Sequence, residues 1–185
     1  MSSQRARILL AMAEVMAEKG YVATSVSHVV SRAGVSRETF YQQFDSKQDC
    51  FLHALQSADG MLEALLENQV DHPGTVAERL DAAVGLYLEA LAFSPAMARL
   101  VLVESYAAGP EAMARRSETQ RRIAHGLADL VDIAEDDELG RFGCELLVAG
   151  MGSLVTTPLV QGDLDVLRAM RQPLVALAVR HLEGG

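Results

Sequence analysis

Apolar residues recur three and four positions apart along almost the whole chain, and no segment alternates apolar and polar residues as a half-buried strand does. Glycine, proline and capping residues interrupt this pattern at intervals that suit helices of roughly one to two dozen residues. Half of the 185 residues are apolar, so the chain can bury a core without disulfides or metals. The sequence therefore predicts an all-α fold of about nine helices.

Two predicted helices open the chain, and each has one apolar face. The first runs from about Gln4 to Lys19, where Gly20 is placed to end it. The second begins after Thr24 or Ser25, since either hydroxyl can cap the free N–H groups of a first turn. Valines and an alanine recur at helical spacing within it, so we expect that face to be buried.

A third predicted helix follows a tight turn at Gly34, begins after Ser36 and ends near Phe44. Two short helices joined by a glycine turn form a helix-turn-helix unit. Phe40 lies one helical turn before Phe44, so both rings should face the core. The polar side chains should then project outward, namely Ser36, Arg37, Glu38, Thr39, Tyr41, Gln42 and Gln43. An exposed polar face at a helix N-terminus is what reading the major groove of DNA requires.

The charges are distributed unevenly along the chain, whose formal net charge is −9. Residues 1 to 47 contain six basic and four acidic side chains, a net charge of +2. Residues 48 to 185 contain ten basic and 21 acidic side chains, a net charge of −11. Because an acidic surface repels phosphate, contact with DNA should be confined to the N-terminal part and should weaken as salt is added.

Six further helices are predicted beyond the third. Their approximate limits are Asp45 or Ser46 to Val70, Thr75 to Ser94, Pro95 to Tyr106, Glu111 to Ile133, the acidic cluster 135–138 to Gly162, and Asp163 to the end of the chain. Pro173 should kink or restart the last of them. We therefore expect a helix-turn-helix domain over residues 1–48 and a larger helical domain over residues 49–185, with the fourth helix linking them.

Residues 8 to 55 contain the motifs Gly20-Tyr21, Thr24-Ser25-Val26, Ala33-Gly34-Val35-Ser36, Thr39 to Phe44 and Ser46-Lys47. On these residues the segment resembles the TetR/AcrR family of bacterial transcriptional regulators. The chain departs from the usual family pattern at Val29-Val30 and Phe40, where the replacements are still apolar. The resemblance implies a regulator and not an enzyme. In full, it implies a ligand-inducible repressor that binds a palindromic operator as a homodimer, with transcriptional activation by the same fold as the alternative.

Position by position, the resemblance implies DNA contacts on the third helix and at the helix ends beside it. The third-helix residues are Ser36, Arg37, Thr39, Tyr41, Gln42 and Gln43, and those that would grip phosphate are Thr24 or Ser25 and Lys47. Exposed hydroxyl and N–H donors at a helix N-terminus suit phosphate oxygens. Glutamine can pair with adenine and arginine with guanine, so Gln42, Gln43 and Arg37 are candidates for base discrimination.

In the family, the larger domain encloses a small-molecule site and its last two helices pair with those of a second subunit. The candidates for dimerisation are Phe142, Leu146, Gly150, Leu154, Leu167, Leu174 and Leu177. They lie on helices that are apolar on two faces, and glycines at 140, 143, 150 and 152 suggest close backbone approach to another helix. A wholly intramolecular core is the alternative.

The effector's identity does not follow from the sequence. The candidates for its site are the apolar and aromatic residues of the middle helices, namely Met61, Leu65, Tyr87, Phe93, Met97, Leu100, Tyr106, Met113 and Met151. Residues of these types at helical spacing are also what an ordinary core contains. Four arginines, at 115, 116, 121 and 122, could form an anion site or simply a solvated face.

We expect a cytoplasmic protein with no membrane span, cofactor or metal. The longest uncharged stretch, Leu146 to Gly162, is shorter than the roughly 20 residues that a spanning helix needs. Cys50 and Cys144 lie outside any Cys-x-x-Cys spacing, which fits a reducing compartment.

Two other classes of protein remain as alternatives. One is a metal enzyme whose site starts from the cluster at residues 49, 50 and 53, and the other is a helical adaptor that does not bind DNA.

Overall fold

The computed structural model describes residues 3–70 and 73–182, with side chains described for 4–60 and 73–181. Within these ranges the chain is helical and contains no strand, so the all-α prediction is confirmed. The α-helices are α1 Ser3–Ala23, α2 Val26–Ala33, α3 Arg37–Tyr41, α4 Lys47–Val70, α5 Val76–Phe93, α6 Pro95–Leu102, α7 Pro110–Leu130, α8 Glu138–Leu154, α9 Thr156–Gln161, α10 Leu164–Ala169 and α11 Arg171–Leu182. A 3₁₀ turn, Glu104–Tyr106, follows α6.

Each of the last two predicted helices is broken into two segments: the eighth into α8 and α9, and the ninth into α10 and α11. When each pair is taken as one helix, the described α-helices match the predicted nine. Pro173 is the third residue of α11, so the last helix restarts as predicted. The break at Val155 was not predicted, and Pro158 explains it. A proline ring inside a continuous helix clashes with the carbonyl four residues earlier, here that of Leu154 at the end of α8.

The described chain divides into two compact units. The first unit contains Met1–Asp59 and Pro95–Arg116, and the second contains Gly60–Ser94 and Ser117–Gly185. The helix-turn-helix therefore shares a unit with the start of α4 and with α6, which the sequence assigned to the larger domain. A functional boundary between residues 48 and 49 remains a prediction, because these units reflect packing alone.

The core of the first unit joins all three N-terminal helices to α4 and α6. Its buried members include Ile8, Met12, Met16, Val29, Phe40, Phe44, Phe51, Leu55 and Leu100. These side chains bury the apolar stripes that the sequence predicts for α1 and α2, and burial of each side chain stabilises the unit by roughly 1.5–3 kcal/mol.

The second unit has its own core, built from α5, α7, α8 and α11. Its buried members include Leu80, Ala83, Ala124, Ala128, Leu130, Cys144, Val148 and Ala178. Salt bridges at the surface add to this packing: Arg168 Nε lies 3.0 Å from Glu89 Oε1, and Arg171 Nε lies 2.9 Å from Asp81 Oδ1. The last two helical segments thus pack against α5 of the same chain.

One stretch of the described residues, Glu138–Gln161, is long and apolar enough to cross a membrane by length and composition. The core helix of a globular protein has the same composition. This stretch is interrupted at Val155, and its Cys144 and Val148 pack in the core of the second unit.

Candidate DNA-binding surface

The turn between α2 and α3 has the local chemistry that the sequence predicts. Ser25 caps α2, since its hydroxyl accepts from the His28 N–H at 3.3 Å while the Ser25 N–H donates to His28 Nδ1. Gly34 ends α2 in the left-handed conformation, with φ 63° and ψ 42°. Ser36 caps α3 by accepting from the Thr39 N–H at 3.0 Å.

Two phenylalanines set the orientation of α3. Phe40 is 0% and Phe44 2% exposed, and their ring centroids lie 5.6 Å apart in the core of the first unit. The opposite side of the segment carries the polar side chains that the sequence places outward. Ser36, Arg37, Glu38, Tyr41 and Gln42 are exposed, whereas Thr39 and Gln43 are half-buried. The regular helix ends at Tyr41, and a turn continues to Phe44, whose N–H donates to the Phe40 carbonyl.

The exposed side chains of α3 differ in how far they are already engaged. Arg37 donates from Nη1 to Ser27 Oγ on α2 at 3.0 Å, so its guanidinium leans toward α2. The ring of Tyr41 packs edge-on against Phe40. The side chain of Gln42 has no polar partner among the residues described, so its amide is free to meet a base edge.

Thr24 has a different role from the one that the sequence suggests. It is buried, and its hydroxyl donates to the Gly20 carbonyl at 2.8 Å. A buried hydroxyl that is already bonded to the backbone is not a free donor for phosphate. Between the two alternatives for the phosphate contact, the structure therefore favours Ser25, which is exposed at the N-terminus of α2.

Lys47 begins α4 and holds the turn at the end of α1, where Gly20 kinks the helix before its last three residues. Its Nζ donates to the carbonyls of Tyr21 at 2.8 Å and Thr24 at 3.0 Å, and lies 4.1 Å from the centroid of the Tyr21 ring. Burial lowers the pKa of this ammonium group. Two of its three donors are thus used inside the chain, and the third remains for the phosphate contact that the sequence predicts.

Two residues that support this surface were missed by sequence reasoning. Arg5 donates from Nη1 to the Gln43 carbonyl at 3.1 Å and lies 4.5 Å from the centroid of the Phe44 ring. Glu104 accepts from the Tyr21 N–H at 2.7 Å. Their partners are 38 and 83 residues away, and no local motif signals contacts over such separations.

The candidate effector residues differ in how far their side chains are buried. Leu100 is fully buried in the core of the first unit, and Met97 packs against that core. Phe93 is 88% exposed and Tyr106 is 63% exposed, whereas side chains that line an enclosed site are buried. Tyr87, Met113 and Met151 are half-buried, and the predictions for Met61 and Leu65 fall outside the described side chains.

The four-arginine anion site is not formed. Arg116 is buried, and its Nη1 donates to the carbonyls of Val101 at 3.0 Å and Leu102 at 2.8 Å, at the end of α6. Its guanidinium also lies 4.8 Å from the centroid of the Tyr106 ring. Arg121, in contrast, is exposed and pairs with Glu118 on its own helix. Arg116 therefore binds backbone carbonyls inside its own chain.

The candidate dimerisation residues divide into two groups. Phe142, Leu146, Leu154 and Leu177 are more than half exposed, and Gly150 has open space where a side chain would be. Leu167 and Leu174 are buried within the same chain, on helices that contact α5, so their side chains are covered without a partner. The glycine at 143 is explained internally, because a Cβ there would lie 2.8 Å from His181 Nε2.

The cluster suggested as the start of a metal site does not have the geometry for one. Cys50 is fully buried, and burial raises the pKa of its thiol to about 12. His53 lies instead against Asp49, with 3.6 Å between Nε2 and Oδ1, and against the Phe44 ring. Among the side chains described, no group of three or more histidine, cysteine or acidic residues could hold a metal ion.

Comparison with known proteins places this surface in a family. The model of the bacterial regulatory proteins of the tetR family matches residues 8–54, which contain the helix-turn-helix. The HTH-type transcriptional activator FasR of Mycolicibacterium smegmatis is 26% identical over 80% of this chain and 67% of its own length. The fatty acid metabolism regulator protein of Bacillus subtilis is 29% identical over 46% of this chain and 44% of its own length.

Solved structures show the same fold over almost the whole chain. The fatty acid degradation regulator FadR from Bacillus halodurans has a TM-score of 0.80 at 21% identity, covering 94% of this chain and 96% of that one. FadR from Bacillus subtilis, solved in complex with stearoyl-CoA, has a TM-score of 0.75 at 22% identity, covering 95% and 97%. The helix-turn-helix segment thus matches the tetR family of bacterial regulatory proteins, and from this match, its fold and these relatives the chain is a DNA-binding transcriptional regulator.

Proposed function

We propose that this regulator represses transcription by binding a palindromic operator as a homodimer, from which a small-molecule effector releases it. The observation that carries the proposal is the exposed polar side of α3, held outward by the buried rings of Phe40 and Phe44. A second copy would present a second α3 to the next major groove, about 34 to 36 Å away.

The apolar surface of α8 supports the homodimer. Phe142, Leu146 and Leu154 lie on one side of this helix and are exposed, while Cys144 and Val148 on the other side are buried. An exposed apolar stripe of this kind is typical of a subunit interface. Leu177 on α11 is also exposed and extends the set that we propose to meet a second copy.

Activation is the second candidate, because FasR of Mycolicibacterium smegmatis is named a transcriptional activator. The position of the operator relative to the promoter decides between the two outcomes. A reporter gene placed downstream of the operator would distinguish them, since deletion of the regulator raises expression under repression and lowers it under activation.

For the effector we propose a long-chain acyl-CoA. The support is the likeness to FadR of Bacillus subtilis, whose structure contains stearoyl-CoA, and to the fatty acid metabolism regulator of the same organism. Binding would act through α4, which begins beside α3 at Lys47 and continues to Val70. A coupling free energy of roughly 1 to 3 kcal/mol between the two ligands is enough for useful induction.

We also propose that the protein acts in the cytoplasm, where DNA and acyl-CoA are both present.

Gln42→Ala tests the assignment of base discrimination to α3. We expect the preference for operator over random DNA to fall by about tenfold, because each glutamine that pairs with adenine contributes roughly 1 to 3 kcal/mol of discrimination. The operator probe is a duplex that the wild-type protein selects from a random pool, and the measurement is fluorescence anisotropy at fixed salt. Gln56→Ala is the matched control, because Gln56 is an exposed glutamine on α4.

Equal preference for the selected duplex in both glutamine variants would contradict the role of Gln42. Failure of the wild-type protein to enrich any duplex at low salt would contradict operator binding itself. In the same assay, palmitoyl-CoA should release the duplex and coenzyme A alone should not. Release by neither would remove acyl-CoA as the effector and leave the DNA assignment intact.

A further inference from the structure

The peptide backbone of Tyr21 is held from both sides by charged groups. Its N–H donates to Glu104 Oε2 at 2.7 Å, and its carbonyl accepts from Lys47 Nζ at 2.8 Å. Hydrogen bonds to ionised groups are shorter and stronger than those between neutral groups. This residue, just after the kink at Gly20 near the end of α1, is therefore held between an acid from the turn after α6 and a base from α4.

The remaining contacts make this turn a defined shape. Gly20 has φ 76° and ψ 163°, a conformation that favours glycine, and its carbonyl accepts from the buried hydroxyl of Thr24. The ring of Tyr21 lies under Lys47 and packs edge-on against Phe51, with centroids 5.3 Å apart. The turn leads directly into Ser25, the cap of α2.

The side chain of Glu104 makes no described hydrogen bond within its own 3₁₀ turn. Glu104 is only 8% exposed, and the one described hydrogen bond of its carboxylate reaches 83 residues back to Tyr21. Burying a carboxylate is costly unless it is bonded to donors or to an opposite charge. Its neighbour Ser105 is also buried, and its hydroxyl donates to the Val101 carbonyl at 2.8 Å and accepts from Arg116 Nη1 at 3.5 Å.

We propose that Glu104 is a positioning residue for DNA binding, which fixes the turn at Gly20 and Tyr21 and thereby sets Lys47 and the N-terminus of α2 against phosphate. Glu104 does not touch DNA in this proposal. Its carboxylate acts through the Tyr21 N–H. The inference rests on the proposed use of α2, α3 and the start of α4 as the operator-binding surface.

Two conservative variants of Glu104 separate the effect of side-chain length from the effect of its charge. Glu104→Asp keeps the charge but is shorter by one carbon, roughly 1.5 Å, which breaks a bond of 2.7 Å to the Tyr21 N–H. Glu104→Gln removes the charge but keeps an oxygen at the same reach. We expect Glu104→Asp to bind the selected duplex about tenfold more weakly, and Glu104→Gln to stay within about threefold of wild type.

Ser105→Ala is the matched control for stability. It removes a buried hydrogen bond from the same 3₁₀ turn without touching Tyr21, so it should lower the unfolding midpoint and leave DNA affinity unchanged. Hydrogen exchange of the Tyr21 amide, followed by NMR, provides a direct reading of the bond. It should become faster in Glu104→Asp and remain slow in Ser105→Ala and Glu104→Gln.

Several results would overturn the proposal. Wild-type affinity in Glu104→Asp together with fast exchange at Tyr21 would show that the bond exists and does not matter for DNA. Loss of affinity in Ser105→Ala as large as in Glu104→Asp would reduce Glu104 to a stabilising residue. Tighter binding by Glu104→Gln would show that its negative charge simply repels DNA. If the wild-type protein selects no duplex at all, the proposed operator binding fails as well, so the two failures are distinguishable.

Discussion

Gly34 is held in a left-handed conformation, with φ 63°, at the turn that precedes α3. No heavy atom lies within 4 Å of the position that a Cβ would take, so Gly34→Ala introduces backbone strain alone. We expect it to lower the free energy of unfolding by roughly 1–2 kcal/mol, measured by urea denaturation. Gly126→Ala is the matched control: Gly126 lies inside α7 with equally open surroundings, so alanine there should stabilise by roughly 0.5–1 kcal/mol. Changes of the same sign in both variants would refute the strain argument.

The end of α6 depends on a side chain from α7. Arg116 supplies donors to the Val101 and Leu102 carbonyls, which have no partners further along their own helix. Arg116→Ala would leave the Leu102 carbonyl without this partner and the Val101 carbonyl with Ser105 alone, and we expect it to lower the free energy of unfolding by about 1–3 kcal/mol. Arg121→Ala, which removes only an exposed pair with Glu118, should change it by about 0.5 kcal/mol or less. Equal losses in urea denaturation would show that Arg116 is not a cap.

At the scale of the whole molecule, the exposed side of α8 is the surface on which the proposed homodimer depends. Phe142→Glu would place a charge at the centre of that interface, and we expect the dimer dissociation constant to rise by at least about 100-fold. Sedimentation velocity would detect the monomer. Phe93→Glu is the control, because Phe93 is even more exposed but lies outside the proposed interface. A wild-type protein that sediments as a monomer, or a Phe142→Glu variant that remains dimeric, would contradict this assignment.

Local chemistry explains why the helix-turn-helix was predictable. The Ser25 and Ser36 caps, the left-handed Gly34 and the buried pair Phe40 and Phe44 all depend on neighbours within a few residues. The break at Val155 was missed although Pro158 marks it, because the apolar pattern of α8 continues past the proline. That signal was available and was given too little weight.

Contacts over long separations could not be predicted in the same way. An apolar stripe shows that a helix face is covered but not which element covers it: Leu174 was predicted to meet a partner subunit, and its side chain is only 5% exposed within its own chain. The hydroxyl of Thr24 could equally have faced phosphate, and packing turned it toward the Gly20 carbonyl of its own chain.

Sequence alone determined the helical fold, its turns and the outward polar side of α3, because dihedral preferences and side-chain periodicity act over a few residues. Tertiary structure alone decided which polar groups remain free. Glu104 meets Tyr21 and Arg5 meets Gln43 only because the helices that carry them pack around one core. Such partners follow from three-dimensional packing, which no local pattern encodes.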